Sequence, residues 1–340
     1  MHIGQAYPVL PLKEGARVVA VLVSLSLLAA SIPARAQAPP VIPAGCVAAT
    51  EQSAAPGEPG YRVVDTRTGV EFVWVPAGRF RMGSDREELE QLWRANEWSE
   101  AWLAYTDDEV PSEEVEVAGF WIARYEVTQD QYARFLRDML NASPLAPAQP
   151  LQPRLPVTLV SFREAAAFCA WAGMSLPTEV QWEYAARGPE SRIFPWGNEW
   201  DRTRCNSAEA HAGRPLRNAA EWAEWAEGAL GAAEMEQALL GAVPVPLLAD
   251  VGSYPAGDSW CGAADMAGNV WEWCADRYTA RRQVEERRRG EAGLDEAYRV
   301  LRGGSALAKA PDCRGAERGR GNPFVHAGIV GFRPVKAAEG

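Results

Sequence analysis

Apolar positions along the chain follow two periods. Val63-Val64 and Val70–Val75 alternate in the manner of strands, and Pro76-Ala77-Gly78 ends the second run. After Thr128, the apolar residues Tyr132, Phe135, Leu136, Met139 and Leu140 return at helical spacing. Ala165, Phe168, Cys169 and Ala172 do the same after Ser161, and Gly173 follows as a natural helix stop. A helix with one apolar stripe must bury it, so both belong in a core. Four starts carry the pattern of a capping box: Ser84-x-x-Glu87, Thr128-x-x-Gln131, Ser161-x-x-Glu164 and Thr178-x-x-Gln181. There a hydroxyl accepts from an orphan backbone N–H, and the Glu or Gln side chain returns the bond. The first start is expected to open a long helix carrying Leu89, Leu92, Trp93, Trp98 and Trp102.

The ends of the chain read differently. Lys13 and Arg17 precede the apolar run Val18–Ala30, and Ala34-Arg35-Ala36 follows Pro33. A basic start, a short apolar core and an A-x-A site describe a signal peptide over residues 1–36. The expected location is therefore secreted or periplasmic, after cleavage near Ala36. Residues 37–60, rich in Ala, Pro and Gly, read as a flexible leader, and an ordered domain is expected over 61–338. Residues 208–250 read as an insertion, rich in Ala and Glu, with Trp222 and Trp225 on one helical face. Residues 281–299 read as a charged, solvated loop.

Charge and cysteine content narrow the function. The net charge of −11 becomes −13 once residues 1–36, with three basic side chains and one acidic, are removed. That argues against nucleic-acid partners, and no later apolar run is long enough for a membrane span. The six cysteines form no CxxC pair, and past the signal peptide only His211 and His326 remain. His-rich metal sites and a Ser-His-Asp triad are poorly supplied.

The motifs form an ordered series. Phe72-Val73-Trp74-Val75-Pro76-Ala77-Gly78 leads to Met82-Gly83-Ser84. Arg124-Tyr125-Glu126-Val127-Thr128 and Leu176-Pro177-Thr178-Glu179 follow, the latter continuing to Trp182-Glu183-Tyr184-Ala185-Ala186-Arg187-Gly188. Then come Pro195-Trp196-Gly197, Asp265-Met266-x-Gly268-Asn269-Val270-Trp271-Glu272-Trp273, Arg302-Gly303-Gly304-Ser305 and Gly331-Phe332-Arg333. The series resembles the formylglycine-generating enzyme (sulfatase-modifying factor) family over roughly residues 70–336. The resemblance implies a single compact α+β domain with little regular secondary structure, related in architecture to C-type lectins.

It also implies chemistry. A structural calcium is placed on the side chains of Asp265 and Glu272 and the carbonyls of Gly268 and Val270. Two carboxylates on one loop with carbonyls between them suit a hard cation. Trp271 and Ser305 match positions lining the family's active cleft. The family's copper(I) is held by two cysteine thiolates after Gly-Gly-Ser, a soft pair for a soft ion. Here the first of those positions is Ala308 and the second is Cys313, so copper is doubtful. Arg314, Arg318 and Arg320 follow Cys313, and they either favour its thiolate or serve as structural ion-pair partners. Cys261 or Cys274 is a candidate second sulfur near Cys313, Cys205, Cys261 and Cys274 are candidates for a disulfide whose pairing sequence does not assign, and Cys169 reads as a buried free thiol.

Three readings of function follow. The first is an exported protein binding a peptide or protein in a calcium-stabilised cleft, with the copper oxidase site incomplete. The second is an oxidoreductase that converts a protein cysteine to formylglycine, or a related group, through Cys313. The third is a lectin-like carbohydrate binder using exposed Trp.

Overall fold

The computed structural model describes residues 40–140, 152–231, 246–279 and 298–338. The expected signal peptide, most of the 281–299 loop and part of the 208–250 insertion lie outside the described residues.

The strands are β1 (Cys46–Ala48), β2 (Arg62–Asp65), β3 (Glu71–Val75), β4 (Gly78–Met82), β5 (Glu113–Val117), β6 (Phe120–Ala123), β7 (Trp271–Arg277), β8 (Arg299–Arg302), β9 (Gly319–Gly321), β10 (Val330–Gly331) and β11 (Val335–Ala337). The helices are α1 (Arg86–Asn96), α2 (Glu100–Leu103), α3 (Gln129–Leu140), α4 (Phe162–Ala172), α5 (Glu179–Arg187), α6 (Ala208–Ala212) and α7 (Ala219–Leu230). Residues 38–340 form one unit. It is an α+β arrangement in which short elements are joined by long irregular stretches. Among the described residues no helix is long and apolar enough to cross a membrane.

The strand expected over 70–75 lies in a sheet buried on both faces, which is why Phe72–Val75 is apolar throughout instead of alternating with polar residues. A five-stranded sheet runs β1-β2-β3-β6-β11, with β3 antiparallel to β6 in the register Val73 opposite Ile122 and Trp74 opposite Trp121. Successive side chains point to opposite faces. Phe72, Trp74, Trp121 and Ala123 enter one core with Tyr132, Phe168 and Phe332. Val73, Val75, Phe120 and Ile122 enter the other with Trp182, Tyr184 and Met266. A second sheet runs β10-β7-β8-β9, and β4 and β5 form a separate pair.

Three of the four expected capping boxes form. Thr128 and Gln131, Ser161 and Glu164, and Thr178 and Gln181 each exchange both bonds, and Gly173 ends α4 at φ 67°. Each is worth about 1 kcal/mol to its helix. Leu136 and Met139 of α3 face solvent, so the buried stripe of that helix is narrower than the pattern suggested.

Two expectations are corrected. Residues 46–48, read as leader, form the edge strand β1 against β2, so order begins before Tyr61. The helix after Ser84 is not one long element. Glu97 takes a left-handed conformation and divides it into α1 and α2. Its Ser84 box is absent as well: Ser84 Oγ donates to Glu109 Oε2 at 2.7 Å. Asp85 becomes the N-cap residue and makes no cap bond, because its carboxylate takes Arg81 and Ser112.

Candidate functional site

The Asp265–Glu272 segment is a tight turn running into β7. Asp265 and Asn269 both take left-handed backbone angles, φ 56° and 60°, which Asp and Asn tolerate better than most residues. Backbone bonds tie the turn to its surroundings: Gly268 N to Gly303 O at 2.7 Å, Asn269 N to Asn206 O at 2.8 Å, and Ala306 N to Asn269 O at 2.9 Å. The 303–306 loop is thereby docked onto the turn.

Side chains of the turn point into a buried charged cluster. Glu272 is fully buried and takes both ends of Arg333, at 2.6 Å each, plus Trp182 Nε1 at 2.8 Å. Arg333 spends its remaining donors on the carbonyls of Ala123, Arg124 and Ala264. Asp265 accepts Gly252 N at 2.6 Å. Glu126 accepts Asn269 Nδ2 at 3.0 Å through one oxygen, and its buried Oε2 has no hydrogen-bond partner among the described residues. Burial pushes the Asp265 carboxyl up to about 6, with Asp258 and Glu272 adding to the rise. Burial raises Glu126 well above the usual carboxylate range, and repulsion from Asp265 and Glu272 adds to it. Three carboxylates thus share the single guanidinium of Arg333. That charge deficit, together with the orphaned Glu126 oxygen, fits a cation better than a closed hydrogen-bond network. Among the described residues no three Asp, Glu, His or Cys side chains converge as a ready metal cluster. A cation on this turn would therefore need backbone carbonyls as well.

Trp271 opens β7, half-buried, with its N–H on Ile329 O at 2.8 Å. Ser305 is buried, and its Oγ accepts Leu307 N at 3.3 Å. Ala308 N donates to Ser305 O at 2.8 Å, and Ala308 O accepts Ala208 N at 2.9 Å. Cys313 closes a 3-10 turn (Ala310–Cys313) and is fully buried. It lies in a small apolar cluster with Cys205, Ala267 and Ala308, beside Trp196 and Trp200.

The following arginines are structural. Arg314 grips Glu109 at 2.6 and 2.8 Å and Glu317 at 2.7 Å. Arg318 holds Glu179, and Arg320 lies over Tyr278 and Tyr298. The Cys313 thiol is held well above the usual thiol range by the adjoining Cys205 and by burial, and Asp312 and Glu209 add to the rise. Of the two readings of these arginines, thiolate stabilisation is therefore not favoured. Nor do Cys261 and Cys274 approach Cys313: both pack in the other core with Met266 and Trp182. Cys169 is a buried thiol, as its helix face implied.

The described part of the insertion covers this loop. Trp222 Nε1 of α7 donates to Leu307 O at 2.9 Å, and Leu230, Trp225 and Leu248 pack around Leu307. An open cleft of about 540 Å³ lies on the other side of the 309–320 segment, lined by Trp102, Tyr105, Tyr278, Lys309 and Arg318.

Sequence reasoning missed Glu126 and Arg333 as site residues, and it named Cys205 only as a disulfide candidate without placing it beside Cys313. The first two stand in the quoted motifs, but their burial against Glu272 and Asp265 is not visible in spacing. Cys205 carries no local signal at all.

The family profile for the sulfatase-modifying factor enzyme 1-like domain matches residues 61–338. Formylglycine-generating enzyme of Mus musculus is 28% identical over 312 residues, covering 77% of this chain and 74% of that protein. The inactive C-alpha-formylglycine-generating enzyme 2 of Bos taurus is 27% identical over 315 residues, covering 79% of this chain and 89% of that protein. The structure of PvdO from Pseudomonas aeruginosa superposes with a TM-score of 0.55 at 22% identity, over 82% of this chain and 99% of that one.

Proposed function

Because the chain belongs to the sulfatase-modifying factor enzyme 1-like family, we propose that it is an exported member that binds a peptide or protein and has set aside two-cysteine copper chemistry. The observation that carries this reading is Ala308, which stands where the family resemblance requires a sulfur ligand. A methyl group cannot bind copper(I). Two further features support it. The Cys313 thiol is buried and held protonated, and Trp222 and its neighbours cover the loop that carries Ser305. One relative of comparable similarity is itself named inactive. The open cleft beside Lys309 and Arg318, with Trp102 and Tyr105 on its walls, offers aromatic contacts to a peptide.

The test is anaerobic copper(I) titration of the full chain, paired with mass spectrometry of a Cys-x-Pro-x-Arg peptide incubated under oxygen. The expected result is no formylglycine product. Turnover with one bound copper would overturn the reading. The second reading, an oxidoreductase acting on a protein cysteine, draws on one observation: a second sulfur, Cys205, does stand beside Cys313.

Calcium is part of the proposal. Asp265 and Glu272 side chains and the Gly268 and Val270 carbonyls would hold it, and Glu126 would supply additional negative charge. When bound, calcium supplies no chemistry beyond charge compensation and the rigidity of the turn. Chelation is expected to lower the melting temperature, with calcium but not magnesium restoring it. Asp265→Asn should remove most of that response. The raised Asp265 carboxyl means that, without the cation, this group contributes stability that is fully present below its unfolded pKa and lost as pH rises through about 6. The chelator effect should therefore grow between pH 5 and 7.5. An equal chelator effect at both ends would count against a cation on this turn.

A further inference from the structure

We infer that Cys205 and Cys313 close to a disulfide that staples the segment ahead of α6 to the loop carrying Ser305 and Ala308. The two residues are far apart in sequence, and the fold sets their thiols side by side in one buried cluster. The backbone on both sides is already pinned. Ala208 N bonds Ala308 O at 2.9 Å, and Glu209 spans Trp200 Nε1 at 2.8 Å and Ala310 N at 3.4 Å. Closing the bond orders nothing new.

The surroundings select a disulfide over a metal. Two sulfurs holding a soft monovalent ion would form an anion. Here the charges acting on Cys313 are those of Asp312 and Glu209, both negative. The nearest cations are committed: Lys309 to Asp312 at 2.6 and 2.7 Å, Arg314 to Glu109 and Glu317. The cluster walls are Ala267, Ala308, Trp196 and Trp200. A neutral cystine suits such a pocket, and an unpaired anion does not. Cys205 thereby takes up the sulfur that lacks a partner at position 308. The reaction is thiol–disulfide exchange: the two thiols give two protons and two electrons to an external disulfide, which leaves as two thiols.

The experiment is peptide mapping of the full chain after equilibration with oxidised and reduced glutathione, free thiols being trapped with iodoacetamide under denaturing conditions. Trypsin releases residues 205–217 and 310–314, because Arg214 precedes Pro215. The expected product is these two peptides joined, with a mass two hydrogens below their reduced sum. Reductant should lower the melting temperature of the wild type by on the order of 10 °C, since the link closes a long loop. It should leave Cys205→Ser unchanged. Two separately alkylated peptides from folded protein would overturn the inference. So would copper(I) retained by the wild type and lost in Cys205→Ser, and with formylglycine formation that result would overturn the binding reading as well. Unlinked thiols without copper would overturn the disulfide alone.

Discussion

Arg333→Met is expected to destabilise the fold by about 3–5 kcal/mol, the cost of leaving one partner of a buried ion pair uncompensated. Arg333 and Glu272 are both fully buried, and each oxygen of Glu272 takes a guanidinium nitrogen at 2.6 Å. Removing the cation strands Glu272 among Asp265 and Glu126, which already crowd that cluster with negative charge. It also frees the carbonyls of Ala123, Arg124 and Ala264. These carbonyls and Glu272 join β6, the turn and β7, so the loss reaches every element around the site. The double variant Arg333→Met with Glu272→Gln is expected to recover part of the loss, because Glu272 then no longer stands as an unpaired buried charge. Urea denaturation of the three proteins in excess chelator measures this with calcium out of play. A double variant less stable than Arg333→Met would show that the pair is not what holds the cluster together.

Gly268→Ala is expected to cost at least about 3 kcal/mol, or to prevent folding, while Gly213→Ala costs about 1 kcal/mol. Both glycines have positive φ, 78° and 67°. They differ in what a methyl group meets. At Gly268 a Cβ would sit 2.2 Å from Asn206 O and 2.9 Å from its carbonyl carbon, both backbone atoms that cannot swing aside. At Gly213 nothing lies within 4 Å. The comparison therefore subtracts the conformational cost and leaves the close approach of the turn to the Asn206 segment. Melting temperatures of the two variants would measure it, and equal losses would show that the two segments are not locked together. Where Gly268→Ala folds, it should also weaken the calcium response, since a methyl group pressed against Asn206 O displaces the turn and with it the Gly268 carbonyl.

How much was legible depends on how local the cause is. Thr128, Ser161 and Thr178 cap their helices as read, because hydroxyl, amide and partner side chain lie within one turn of chain. Ser84 has the same spelling and fails. Glu109, itself gripped by Arg314 from the far end of the chain, is the better partner for its hydroxyl. Phe72 to Val75 are all apolar because the sheet is covered on both faces, so the strand was legible but its two-sided burial was not read. The 265–272 turn was readable from Asp265, Gly268 and Asn269. That Glu272 faces Arg333, and that Glu126 is left with an orphaned oxygen, was not.

By itself the sequence determined the family, the strands β2 and β3, the capped helices α3, α4 and α5, and the absence of a cysteine at 308. These rest on composition, on periodicity within a few residues and on an ordered set of motifs. Tertiary structure alone decided that Cys205 is the sulfur beside Cys313, that Arg314 and Arg318 serve carboxylates instead of a thiolate, and that α7 lies over Leu307. The physical reason is range. Hydrogen-bond capping and alternation act between neighbours in the chain, whereas burial and charge pairing act between whatever the fold brings together.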